Sequence, residues 1–457
     1  MTVSKLNHTL VTLPSGLRFL HLHNRGSKVE YFGVAVKAGS RNDPKGYAGL
    51  AHFVEHTIFK GTARRSSHHI INRMEAVGGE LNAYTTKEDT FVYSAFPSGN
   101  LSRAVELISD LVINSVFPTK ELDKEREVII EEIDSYLDSP AEAVFDDFDE
   151  LLFKDPRLGH NILGNSETIA AISTNECRGF LKQYYRADNM VVFYSGPASA
   201  ERVRHHVEKH FGEIAAPLTG DTPGMDSATH VATGDSIGNR HGAENNTLEK
   251  NNGHAENNRN VENNGHGDKD AEMEFGSFRV RRDNDNHQAH NVMGAPLPSL
   301  YSSDRYAISL LNNIIGGPGM NSRLNVALRE RRGLVYSTDS AATLYSDCGA
   351  LTIYFGCSPD RVDRCVDIIN RELTELVTKP LDSRRLAAAK RQYLGQITVA
   401  SASAEQTVLS AARSCLYRNR FFTLEETATA IEAVTADDLI RVAHYAAPDR
   451  MSLLTLG

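Results

Sequence analysis

The chain has no tryptophan among its 457 residues and only five cysteines: Cys177, Cys348, Cys357, Cys365 and Cys415. An odd count without a Cys-x-x-Cys pair argues against a disulfide framework. The thiols are expected to be buried, in a reducing compartment. No run reaches the roughly 18 apolar residues that a membrane-spanning helix needs. Met1–His8 lacks the apolar core of a secretory signal, so a cytoplasmic protein with no membrane partner is expected. Excess positive charge is also missing. The net charge is −10, and residues 219–275 hold 11 Asp/Glu against 4 Lys/Arg, or −7, leaving −3 for the remainder. A body so close to neutral carries no electrostatic footprint for nucleic acid.

What is present suits two or three domains by length, with an apolar fraction of 40% to build their cores. Leu17–His23 alternates apolar and polar residues, as a half-buried strand does, and Glu30–Ala38 is expected to pair with it. A helix near His69–Val77 stops at Gly78-Gly79. Leu81–Thr86 and Thr90–Ser94, rich in Thr and aromatics, read as strands. Helical periodicity then runs from Leu101 to about Phe153 and, with interruptions, to Phe211; Met190–Tyr194 is a strand.

Residues 218–275 are Asn, Gly, Glu, His and Asp with no period. Such a stretch cannot bury enough surface to offset its ordering entropy, so a disordered linker is expected, its histidines being solvated filler. A second series of strands and helices follows, including helices over Tyr306–Ile315 and Met320–Arg332 and a strand over Val335–Leu344. Tyr184–Gly196 and Tyr445–Gly457 share one pattern: helix end, polar turn, Met, apolar strand, Gly. The reading is therefore α+β: two related domains, 1–217 and 276–457, around the insert 218–275.

The chemistry is concentrated in Gly49–Lys60, an amphipathic helix holding His52, Glu55 and His56. Residues four apart lie on one helical face with Cβ atoms about 5–6 Å apart. His52 and His56 can therefore close on one zinc ion, at Zn–N distances of about 2.0–2.1 Å. Glu55 faces the same side. It is badly placed as a ligand beside both histidines but well placed as a general base toward a water at the metal. The order His-x-x-Glu-His inverts the commoner zinc-protease motif. A third ligand is needed, and the acidic stretch Glu121–Asp134 offers several carboxylates. Glu125 and Glu132, seven apart, share a face, so that one can ligate while the other buttresses a histidine ring.

His52-Phe53-Val54-Glu55-His56 followed by Phe59-Lys60-Gly61-Thr62 resembles the signature of the pitrilysin or insulinase family of zinc metallopeptidases. The resemblance implies Glu132 as the third ligand, with one Zn²⁺ per chain, and Glu125 as the supporting glutamate of the catalytic set. It implies Glu55 as the base. Gly78–Thr85 resembles the family's edge strand, which implies substrate binding at Asn82 and Ala83 by strand addition. Gly316–Leu324 resembles its glycine loop, and Arg329–Ser337 its Arg…Tyr element, which implies that Arg329 and Tyr336 contact substrate.

The implied fold is a pair of α/β sandwiches, antiparallel-rich sheets with helices packed on them, forming half of a clamshell. The implied partners are a peptide substrate and a second subunit, in a homodimer or heterodimer. The expected activity is zinc-dependent endopeptidase; the alternative is a non-hydrolytic partner subunit of a heterodimeric peptidase.

Overall fold

The computed structural model describes residues 7–212, 214, 274–283 and 287–457. The stretch 218–275, apart from its last two residues, lies outside them. Two mixed sheets form the frame. The first contains β1 (Asn7–Thr12), β2 (Arg18–His23), β3 (Val29–Val36), β4 (Glu80–Thr85), β5 (Thr90–Pro97) and β6 (Met190–Gly196), in the order β1-β2-β6-β3-β5-β4. The second contains β7 (Arg279–Arg282), β8 (Ala289–Leu297), β9 (Val335–Leu344), β10 (Gly349–Cys357) and β11 (Ser452–Leu456), in the order β7-β11-β8-β10-β9.

The expected pairing of β2 with β3 does not occur. β6 lies between them, parallel to β2, with Phe19 opposite Val192, and antiparallel to β3, with Val34 opposite Val192. Without β1, the two sheets have one topology. β2, β6, β3, β5 and β4 correspond in order to β7, β11, β8, β10 and β9. The parallel pairs, β2–β6 and β7–β11, fall at the same place. The two similar sequence segments end in the corresponding strands β6 and β11.

Helices cover the sheets. In the first part of the chain they are α1 (Leu50–Thr57), α2 (Ser67–Glu75), α3 (Leu101–Asn114), α4 (Thr119–Leu137), α5 (Pro140–Leu152), α6 (Pro156–Gly159), α7 (Ser166–Ala171), α8 (Thr174–Tyr184) and α9 (Ala200–His210). In the second they are α10 (Arg305–Gly316), α11 (Val362–Thr378), α12 (Ser383–Ala400), α13 (Ala404–Arg418), α14 (Leu424–Ala433) and α15 (Ala436–Ala443). Among the described residues no helix is long and apolar enough to cross a membrane. The helix expected over Met320–Arg332 is shorter and wider, a π-helical segment at Asn325–Glu330.

Alternation along the strands sends side chains to two separate cores on each sheet. In the first, Phe32, Val34, Val192 and Tyr194 pack beneath α1, α3 and α9. Ala35, Phe91, Val191 and Phe193 face the other way and are covered by Val408, Ala411, Ala412 and Cys415 of α13. In the second sheet, Leu351, Ile353 and Phe355 meet α10, α11 and α15. Val292, Ala350, Tyr354 and Leu454 meet Val144, Phe148 and Leu152 of α5. Each sheet thus has one face closed by a helix from the other end of the chain. Coverage on both faces explains why β6 is buried at every position and reads as an unbroken apolar run.

Candidate metal centre

The site begins with the start of α1. Gly49 adopts φ +93, and a Cβ there would meet the Leu163 carbonyl oxygen at 2.6 Å, so glycine is required. With no side chain to cap the helix, Asp43 does so from the preceding loop, accepting from the N–H groups of Gly49 (2.7 Å) and Ala51 (2.8 Å). Leu50, Ala51, Phe53 and Val54 bury one face of the helix in the first core. This burial presents His52 and His56 side by side, with ring centroids 4.5 Å apart.

Glu132 reaches them from α4. Its Oε2 lies 3.6 Å from His56 Nε2 and 4.0 Å from His52 Nε2. One ligand atom from each of the three residues lies within 4.8 Å of the other two. Tetrahedral zinc with bonds of about 2.0–2.1 Å separates its ligand atoms by roughly 3.4 Å, so the donor set fits that ion with little adjustment. The burial grades from His52 through half-buried His56 to exposed Glu132, and the cluster opens outward. Burial, and then the neighbouring His56 ring, push the His52 imidazole down to about 3. It is therefore neutral near pH 7, the form a metal requires. Among the described residues its Nδ1 is buried without a hydrogen-bond partner, which leaves Nε2 as the nitrogen that faces the cluster.

Glu125 stands behind His56 rather than among the ligand atoms. Its Oε1 is 3.1 Å from His56 Nδ1, and its Oε2 is 2.5 Å from Lys60 Nζ. An N–H at Nδ1 donating to this buried carboxylate leaves the Nε2 lone pair directed at the cluster. Lys60 lies about one turn beyond His56 and joins the site through this contact, a role its place in the sequence signature does not declare.

Glu55 is half-buried, and its pKa is raised, first by burial. His56 and hydrogen bonds from the Thr85 side chain and backbone oppose the rise, and Glu132 adds to it. A carboxyl group raised in this way is suited to passing a proton in both directions.

Thr85 ends β4, the edge of the first sheet. Asn82 and Ala83 pair with Tyr93 and Val92 of β5 on one side, and among the described residues no strand occupies the other. The structure does not bring Arg329 and Tyr336 to this cluster: among the described residues neither forms a hydrogen bond or ion pair with its members. Both are exposed, Arg329 in the π-helical segment and Tyr336 on β9. Tyr336 is the extra residue of a β-bulge, since Ser337 pairs with Gly356 and Val335 with Cys357.

Residues 18–166 match the family model for insulinase, peptidase family M16, and residues 171–393 that for the peptidase M16 inactive domain. A zinc protease of Mycobacterium leprae is 30% identical over 98% of this chain and 91% of its own length. The zinc protease YmxG of Bacillus subtilis is 28% identical over 93% and 92%. A protease from Helicobacter pylori has the same fold, with a TM-score of 0.81 at 19% identity over 99% of both chains. So does a peptidase M16 inactive domain from Pseudomonas fluorescens, with a TM-score of 0.81 at 17% identity over 99% and 98%.

Proposed function

The chain belongs to the insulinase family of peptidases, family M16, and from that membership we propose that it is a zinc-dependent endopeptidase acting on peptides bound as an added β-strand. The observation that carries the reading is the convergence of His52 Nε2, His56 Nε2 and Glu132 Oε2 beside a carboxyl group, Glu55, of raised pKa. A zinc ion held by these three residues supplies Lewis acidity for peptide hydrolysis. Glu55 takes a proton from the attacking water and returns it to the leaving amine. Glu125 keeps the His56 ring in the orientation and tautomer that its role needs, with Lys60 holding Glu125 in turn. The open edge of β4 at Asn82 and Ala83 accepts the substrate backbone and sets its register against Glu55, which Thr85 ties to the same strand.

Arg329 and Tyr336 steady the substrate backbone or the developing oxyanion in a partner subunit's site, within a chamber formed by two chains. Their exposure supports this arrangement, as does the absence, among the described residues, of any hydrogen bond or ion pair between them and the cluster in their own chain. Specific activity should then fall on dilution below the dimer's dissociation constant, and a flat dilution series would overturn it.

The wider reading is tested by metal analysis and peptide-library cleavage of the full chain and Glu55→Gln. Both should hold about one zinc. Only the parent should cut, and a chelator should abolish cutting. A zinc-loaded parent that cuts nothing would instead be a non-hydrolytic partner subunit.

A further inference from the structure

The β4–β5 turn, Thr86–Asp89, is closed by a hydrogen bond from Thr86 N–H to the Asp89 carbonyl (2.8 Å). An ordinary hairpin needs little more, yet three side chains of this turn are each anchored to a different part of the molecule. Lys87 Nζ donates to the His160 carbonyl at 2.6 Å and lies 3.5 Å from Asp146 on α5. Glu88 accepts from Arg41 at 2.8 Å and from Ser346, through its N–H (2.9 Å) and its hydroxyl (2.6 Å). Ser346 lies between β9 and β10. Buried Asp89 takes the Arg413 guanidinium in two-pronged fashion, Nε at 2.9 Å and Nη2 at 2.7 Å, and accepts from the Tyr417 hydroxyl at 3.1 Å.

The α13 tie also reaches the strand. The Arg413 guanidinium lies 5.9 Å from the Tyr84 ring centroid and 5.2 Å from that of Phe91, and these two rings are stacked 4.9 Å apart. Successive strand residues face opposite ways. At the end of β4, therefore, Thr85 serves Glu55 on the α1 side while Tyr84 lies under Arg413 on the α13 side.

From this we infer that Arg413 is a positioning residue through which α13, from the second part of the chain, holds the open edge of β4 ready for a peptide strand. The inference rests on the peptidase reading, since it concerns the strand that substrate joins. Arg413 is suited to the task because its planar fork can grip both oxygens of one carboxylate, which a lysine ammonium cannot do. Without the fork, Asp89 is buried with its charge only partly met, and the turn loosens. A peptide would then have to order the edge as it binds, and that cost appears in KM more than in kcat.

The test compares the parent, Arg413→Gln and Arg413→Lys as full chains. Two peptides are used, one long enough to lie along all of β4 and one spanning only the residues either side of the cut. Arg413→Gln should retain parental zinc, raise KM for the long peptide roughly tenfold with kcat within about twofold, and leave the short peptide's constants unchanged. Amide exchange over residues 80–89 should quicken in the same variant. Arg413→Lys should fall between, and it serves as the test variant if Arg413→Gln does not fold. Equal losses on both peptides, or no change in KM and exchange, would overturn the inference. A parent that cuts neither peptide would sink the peptidase reading, and the exchange measurement would still decide whether Arg413 holds the strand.

Discussion

Replacing Glu125 by glutamine probes the centre without removing any of the three proposed ligands. The substitution keeps the side chain's shape but removes its charge. An amide oxygen can still accept from His56 Nδ1, now 3.1 Å from Oε1, but Lys60 loses the carboxylate 2.5 Å from its ammonium. The His56 ring becomes less basic and less firmly oriented. Loss of such a partner typically costs 10–100-fold in metal affinity, or about 1.4–2.8 kcal/mol at roughly 1.4 kcal/mol per tenfold. The assay is zinc competition against a chromophoric chelator of known affinity. Glu121→Gln serves as the control: it lies on the same helix and pairs with Lys124 at 2.8 Å. Affinity within about twofold of the parent would refute the buttressing argument. Zinc loss as complete as in Glu132→Ala would make Glu125 a ligand in its own right.

Phe148, fully buried between α5 and the second sheet, should cost about 3–5 kcal/mol as Phe148→Ala, read from the denaturant midpoint. Asp149, one residue on, is pushed up to about 7 by burial, with Lys87 opposing and Asp146 reinforcing the rise. Its folded value lies above its ordinary value of 3.8, so its contribution to stability is complete below about pH 4 and is lost as pH climbs through 7. Thermal midpoints measured from pH 4 to 8 should show Asp149→Asn gaining on the parent as pH rises. A constant difference would count against it.

The active helix was legible because its information is local. His52, Glu55 and His56 declare themselves by spacing, and Leu50, Phe53 and Val54 declare the buried face that orients them. Glu132 is different. Periodicity puts it on a face with Glu125, but nothing local says which carboxylate meets the histidines; only the family resemblance separated them. Strand identity was legible for β2, β3 and β6, whereas strand order was not, because β6 inserts between neighbours from far along the chain. The grip of Arg413 on Asp89 was invisible for the same reason. Each residue taken singly reads as an ordinary surface charge, and only the packing of α13 on the first sheet brings them together. The π-helical segment at Asn325–Glu330 and the bulge at Tyr336 were also hidden, since both are departures in backbone geometry that leave the apolar period almost intact.

The exchange of covering helices, with α5 lying on the second sheet and α13 on the first, has a bearing on ancestry. A solitary copy of either unit would present one broad greasy surface to water, with nothing of its own to shield it. If both units descend from a common forebear, that forebear was viable only as a mated pair, each copy lending the other a lid. Fusion into one polypeptide then made permanent a dependence that already existed.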